Sequence, residues 1–153
     1  MRYIEKPSFC VIGKEGSTAQ GFGFIQRLWE DANGHFGDVA ALAKIDSKGN
    51  LAGVWGAMTD EARRFLPWED NFSCGLYLAG VECRDDAQAP PGWTKWQIPG
   101  FEYLQVENTG ENVFSDTLAY MKENGLPLVG AVQEWTILVE GKHYLLFPVR
   151  CLD

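Results

Sequence analysis

Twice along this chain the same order of local patterns recurs: strand, helix, strand, strand. The first occurrence starts at the apolar run Phe9–Gly13, after Pro7. Ser17 and Thr18 offer cap hydroxyls before a segment in which Phe22, Ile25 and Trp29 recur at helical spacing, with Asn33-Gly34 as its stop. A further helical turn is expected over Asp38–Ala43. Leu51–Met58 reads as a strand whose glycines permit a close backbone approach, and Thr59–Phe65 as a short helix ended by Pro67. Cys74–Glu82 is the third strand. After the charged, proline-rich break Asp85–Pro91, the segment Gly92–Pro99 is extended and Phe101–Glu107 alternates as a strand. A helix follows over about 111–124, with Phe114, Leu118 and Met121 on its apolar face. Gly130–Val139 and Tyr144–Val149 close the second occurrence as strands.

Two such units, each with an apolar sheet face to cover, bury those faces against each other. The expected fold is therefore α+β: duplicated βαββ units forming a pseudo-symmetric antiparallel sheet with helices and a central cleft. A chain of 153 residues suits a single domain over 1–153, with halves at about 1–84 and 91–153. Clefts between repeated halves are common ligand sites. One residue stands out there. Glu134 sits inside the strand-like run Val132–Val139, where alternation gives it a common face with Val132, Thr136 and Leu138.

Composition narrows the function classes. A net charge of −8 with no basic stripe opposes direct binding to nucleic acid or to an anionic membrane. No apolar run approaches a membrane span, and the N-terminus lacks an apolar signal core, so the expected compartment is cytoplasmic. Cys10, Cys74, Cys83 and Cys151 form no CxxC pair and read as free thiols, while His35 and His143 have no second ligand at metal-binding spacing. No cofactor or metal is expected. There is no Ser/His/Asp context, GxSxG elbow or phosphate loop.

Four stretches resemble the GyrI-like small-molecule-binding family, relatives of the effector-binding domains of AraC-type and MerR-type regulators. Tyr77–Glu82 looks like its strand with a Gly-x-Glu ending. Pro91-Gly92-Trp93 followed by Ile98–Tyr103 looks like its proline-flanked crossover. Glu134-Trp135-Thr136 lies where the family carries an acidic residue in its penultimate strand. Leu146–Val149 looks like its closing strand. The resemblance implies a duplicated βαββ fold and, with no DNA-binding segment ahead of it, the stand-alone form. It also implies a glutamate at the base of an aromatic cleft, matched by Glu134. The family often has an aromatic two residues later, where this chain has Thr136. The wall is then expected from Trp68, Tyr77, Trp96, Tyr103 or Phe147.

Three functions follow. The first is binding of hydrophobic, cationic small molecules, with Glu134 as counter-charge and aromatic faces as partners. The second, implied by hydrolytic relatives, is opening of strained cyclopropyl electrophiles. Glu134 would then be the general base, with Tyr103 or Tyr77 as donor to the developing oxyanion. The third is inhibition of a protein such as gyrase. The ligand and the oligomeric state are open.

Overall fold

A computed structural model describes residues 1–152. Eight strands form one antiparallel sheet: β1 (Arg2–Lys6), β2 (Phe9–Ser17), β3 (Val54–Thr59), β4 (Leu76–Cys83), β5 (Thr94–Ile98), β6 (Phe101–Glu107), β7 (Gln133–Ile137) and β8 (Lys142–Cys151). Two helices of three turns lie on it, α1 (Phe24–Gly34) after β2 and α2 (Val113–Glu123) after β6. The strand order is β1-β6-β8-β7-β3-β4-β2-β5. Exchanging each strand for its counterpart four places on reproduces this order reversed, so the sheet has a pseudo-twofold axis between β3 and β7.

The duplicated βαββ units are thus present as β2-α1-β3-β4 and β6-α2-β7-β8, with one addition. Each unit is preceded by a strand that pairs onto the other unit: β1 joins β6 and β5 joins β2. The N-terminal strand was not expected, because its polar, alternating residues are half-exposed at a sheet edge and carry little apolar signal.

Alternation sorts the core into layers. Phe9 and Val11 of β2, Leu78 of β4, Tyr103 of β6 and Leu146 of β8 join Trp55, Trp96 and Ile98 on one face. Cys10, Ile12, Tyr77 and Ala79 face α1, whereas Leu104, Leu145 and Phe147 face α2. β4 is covered on both sides, which explains its nearly continuous apolar sequence. Each fully buried side chain of the Leu, Val or Phe class contributes about 1.5–3 kcal/mol.

Two local expectations fail for identifiable reasons. Thr59–Phe65 is not a helix. The buried Asp60 carboxylate accepts hydrogen bonds from the backbone N–H groups of Arg64 and Leu66 and from the Arg64 guanidinium, and Arg63 and Phe65 take left-handed backbone conformations. Ser17 does cap, but it caps the short turn Thr18–Gln20 in a capping box. α1 starts later, after Gly23 in the left-handed region, which leaves Phe22 wholly exposed rather than in the apolar stripe. The expected turn after α1 is present as two short 3₁₀ segments, Phe36–Asp38 and Ala40–Leu42. Cys10 and Cys83 are buried, Cys74 is half-buried and Cys151 is exposed; all four are free. No helix of the described residues is long and apolar enough to cross a membrane.

Candidate functional site

The two halves meet where β3 and β7 pair through Val54↔Thr136, Trp55↔Trp135 and Gly56↔Glu134. Alternation sends Trp55 and Trp135 to the face away from the helices. Their rings stack at 5.5 Å and 11°. Glu134 and Gly56 face the helices, and there the missing side chain of Gly56 matters. Tyr77 reaches from the neighbouring strand β4 across Gly56 to donate its hydroxyl to Glu134 Oε1 at 2.5 Å. A Cβ on Gly56 would collide with both the Tyr77 hydroxyl and the Glu134 carboxylate. Trp29 Nε1 of α1 in turn donates to the Tyr77 oxygen at 3.0 Å. A chain of two hydrogen bonds therefore runs from α1 through β4 to β7.

Burial raises the Glu134 carboxyl above its ordinary range, outweighing the Tyr77 hydrogen bond and the charge of His143, which both favour the carboxylate. The Tyr77 hydroxyl is pushed up further, first by burial and then by the charge and hydrogen bond of Glu134, so Tyr77 keeps its proton and remains the donor. Among the described residues no Lys or Arg forms an ion pair with Glu134. His143, which lines the site, shares a 2.8 Å hydrogen bond between its Nδ1 and Thr136 Oγ1.

Above Glu134 a cavity of about 710 Å³ opens between the sheet and α1. Trp29, Phe36 and Trp93 contribute to its lining, Trp135 and Tyr144 border it with their rings packed on the opposite face, and Leu51 and the exposed Leu138 also border it. Trp93 is held in place from two sides. Its Nε1 donates to Asp38 Oδ2 at 3.1 Å, and Lys14 Nζ lies 4.4 Å from its ring centroid. A smaller cavity of about 270 Å³ lies toward α2, bordered by Met58, Gly110, Glu111, Phe114, Val132 and Leu145. Asn108 and Glu134 border both. Among the described residues no group of three or more His, Cys, Asp or Glu side chains could hold a metal ion.

Of the residues singled out from sequence, Glu134 lines both cavities and Tyr77, wholly buried, reaches it through its hydroxyl. The other four do not come to Glu134. Trp96 and Tyr103 alternate onto the opposite sheet face. There Trp96 Nε1 donates to Glu15 at 2.7 Å, and the buried Tyr103 hydroxyl has no partner among the described residues. Phe147 is on the helix face but sealed under α2 against Phe114, ring centroids 5.7 Å apart. Trp68 packs over Gly75 and donates to the Leu76 carbonyl at 3.0 Å. The aromatic rings on the helix side come instead from Trp29, which the helical stripe suggested as core, and from Phe36 and Trp93 in connecting segments; the rings of Trp135 and Tyr144 pack with Trp55 on the opposite face. Trp29, recurring at helical spacing with Ile25, was the one that sequence could have flagged.

No family model and no curated protein matches this sequence. Solved structures do match. SAV2435 bound to tetraphenylphosphonium is 15% identical, over 97% of this chain and 93% of that one, with a TM-score of 0.64. The EcmrR C-terminal domain is 13% identical, over 99% and 97%, with a TM-score of 0.66. In the EcmrR–DNA complex, this chain corresponds to 57% of the EcmrR chain, at 13% identity and a TM-score of 0.64. At such identities the likeness establishes architecture, and it agrees with the palindromic strand order and the two sheet-covering helices: this chain has the GyrI-like fold.

Proposed function

We propose that this chain binds hydrophobic small cations in the cavity over the β3–β7 seam. The observation that carries the proposal is Glu134, a half-buried carboxylate without a Lys or Arg partner among the described residues, at the floor of an aromatic cavity. Desolvating a lone carboxylate is unfavourable, and a bound cation offsets that cost in the same low-dielectric setting. A cation against an aromatic face gains about 0.5–2 kcal/mol more. A volume of about 710 Å³ falls within the usual range for small-molecule pockets. SAV2435, similar in fold, is bound to a cation of this chemical class.

Tryptophan fluorescence titration with tetraphenylphosphonium tests the proposal, because the indoles of Trp29 and Trp93 line the cavity. Saturable quenching in wild type, weakened at least about tenfold in Glu134→Gln, is expected; that factor corresponds to about 1.4 kcal/mol. Equal affinity in both proteins would refute it.

A hydrolytic second function has one observation in its favour. A carboxyl with an elevated pKa is a stronger base toward water once ionised. Tyr77 already donates to Glu134, and Tyr103 does not border the cavity, so neither hydroxyl is free there to receive a substrate oxygen. Incubation with a cyclopropyl ketone and mass analysis of the product decides it: a hydrated product that depends on Glu134 establishes turnover, and recovery of unchanged ketone excludes it.

A further inference from the structure

The two cavities lie on either side of Glu134, each against the helix of its own half, and they share only Glu134 and Asn108 among their bordering residues. From this we infer that the site is a two-compartment receptor with one shared charge, whose preferred ligands are cations carrying apolar arms that diverge from the charged centre. The inference rests on the proposed cation binding at Glu134 and adds the shape of the ligand.

Three features lead to it. Glu134 is the one carboxylate common to both compartments, because β7 lies at the seam and its helix-facing side chain stands between α1 and α2. A cationic centre placed there reaches both. Next, the compartments differ in capacity. The larger takes an entire small ligand, whereas about 270 Å³ lies under the usual range for a self-sufficient pocket and suits one ring or short branch. Finally, Met58, Phe114, Val132 and Leu145 give the smaller compartment the apolar side an arm needs, with a flexible thioether that adapts to ring edges and the exposed Glu111 at the rim. Asn108 stands at the junction, its backbone N–H donating to the His143 carbonyl at 2.8 Å, which ties the end of β6 to β8. A flat cation stacked in the larger compartment leaves the smaller one unfilled, whereas a cation with tetrahedrally arranged aryl groups has an arm directed toward each.

Two cations separate the possibilities: tetraphenylphosphonium, with four diverging rings, and N-methylacridinium, whose charge lies within one plane. Gly110→Trp fills the smaller compartment from its rim. A Cβ at Gly110 meets nothing within 4 Å and needs no left-handed backbone. Met58→Phe fills it from the sheet side. Both variants are first checked for a wild-type circular dichroism spectrum and melting curve, and data are taken from whichever passes. The expected result is a fall of about tenfold or more in tetraphenylphosphonium affinity, with N-methylacridinium affinity within about twofold of wild type. Equal losses for both cations, or no loss for either, would overturn the two-compartment account while leaving cation binding at Glu134 intact. If wild type binds neither cation, the proposed function itself fails, and this inference with it.

Discussion

The two halves of the chain leave cavities of different size between helix and sheet, the larger under α1 and the smaller under α2. Under α2, Val113, Phe114, Leu118 and Met121 pack against Leu104, Val132, Leu145 and Phe147, leaving only about 270 Å³. Under α1, Phe24, Ile25 and Leu28 pack at one end. At the other, Trp29 and Ala32 border a cavity of about 710 Å³. The strand registers show where the sheets differ. β2 and β4 cross at Gly13↔Gly80, and the corresponding crossing of β6 and β8 is Glu107↔Tyr144. A Cβ on Gly80 or Gly13 would collide with the backbone of the facing strand, so only the first half makes this close approach. The seam is unequal as well. With the pseudo-twofold axis at Trp55↔Trp135, Glu134 corresponds to Val54 and Thr136 to Gly56. One carboxylate, one bare position and one large cavity are products of broken symmetry in a duplicated frame.

The largest test of this contrast is Gly80→Val. Forcing a branched side chain into the β2–β4 approach is expected to cost about 3 kcal/mol or more in chemical denaturation. Glu107→Ala, near the equivalent crossing in the second half and exposed, should shift stability by no more than about 0.5 kcal/mol. Comparable losses would show that the two crossings are not structurally different.

Next in size is Glu134→Gln read against pH. Because the folded-state pKa of Glu134 is raised, the native state holds this proton more tightly than the unfolded chain does. Its contribution to stability is therefore full below the ordinary value of 4.5 and declines as pH rises through the elevated folded pKa. Wild type should lose stability relative to Glu134→Gln across that interval, then run parallel to it. Cation affinity should change the opposite way, increasing as Glu134 ionises. Denaturation and titration series from pH 4 upward measure both, and parallel stability curves throughout would remove the basis for a desolvated Glu134.

A smaller effect is expected from Tyr77→Phe, which leaves Trp29 Nε1 and Glu134 without their shared partner. Stability should fall by about 1–2 kcal/mol. The pH at which cation affinity develops should move upward, since the Tyr77 hydrogen bond favours the charged form of Glu134. An unmoved pH midpoint would show that Tyr77 does not tune Glu134. The smallest is Lys14→Met, which removes the ammonium beside the Trp93 ring and should cost about 0.5–1 kcal/mol at most. A larger loss, by the same denaturation assay, would mean that Lys14 does more than brace that wall.

Much of this architecture was legible in the chain because its signals are local. The doubled order, both helices and the strand carrying Glu134 follow from periodicity and from stops such as Asn124-Gly125. The glycines of the Leu51–Met58 run hinted at a close approach, and Gly56 is where Tyr77 crosses. What could not be read depends on partners distant in sequence. Nothing in Arg2–Lys6 says that it pairs with β6, nor in Thr94–Ile98 that it pairs with β2. The same limit applies to the lining. Trp96 and Trp93 are three residues apart, yet strand alternation buries one on the far face and a connecting turn brings the other to the cavity. Aromatic content announces a core or a cleft, and only the fold decides which ring serves which.

A bound cation is expected at the seam, beside Glu134. Tetraphenylarsonium has the shape of tetraphenylphosphonium and carries an anomalous scatterer at its charged centre, so a crystal soaked with it locates the charge directly. An arsenic peak over the β3–β7 pair, about 4–6 Å from the Glu134 carboxylate, is the predicted result. A peak in the body of the aromatic cavity far from Glu134, or no peak in crystals that diffract with the compound present, would contradict it.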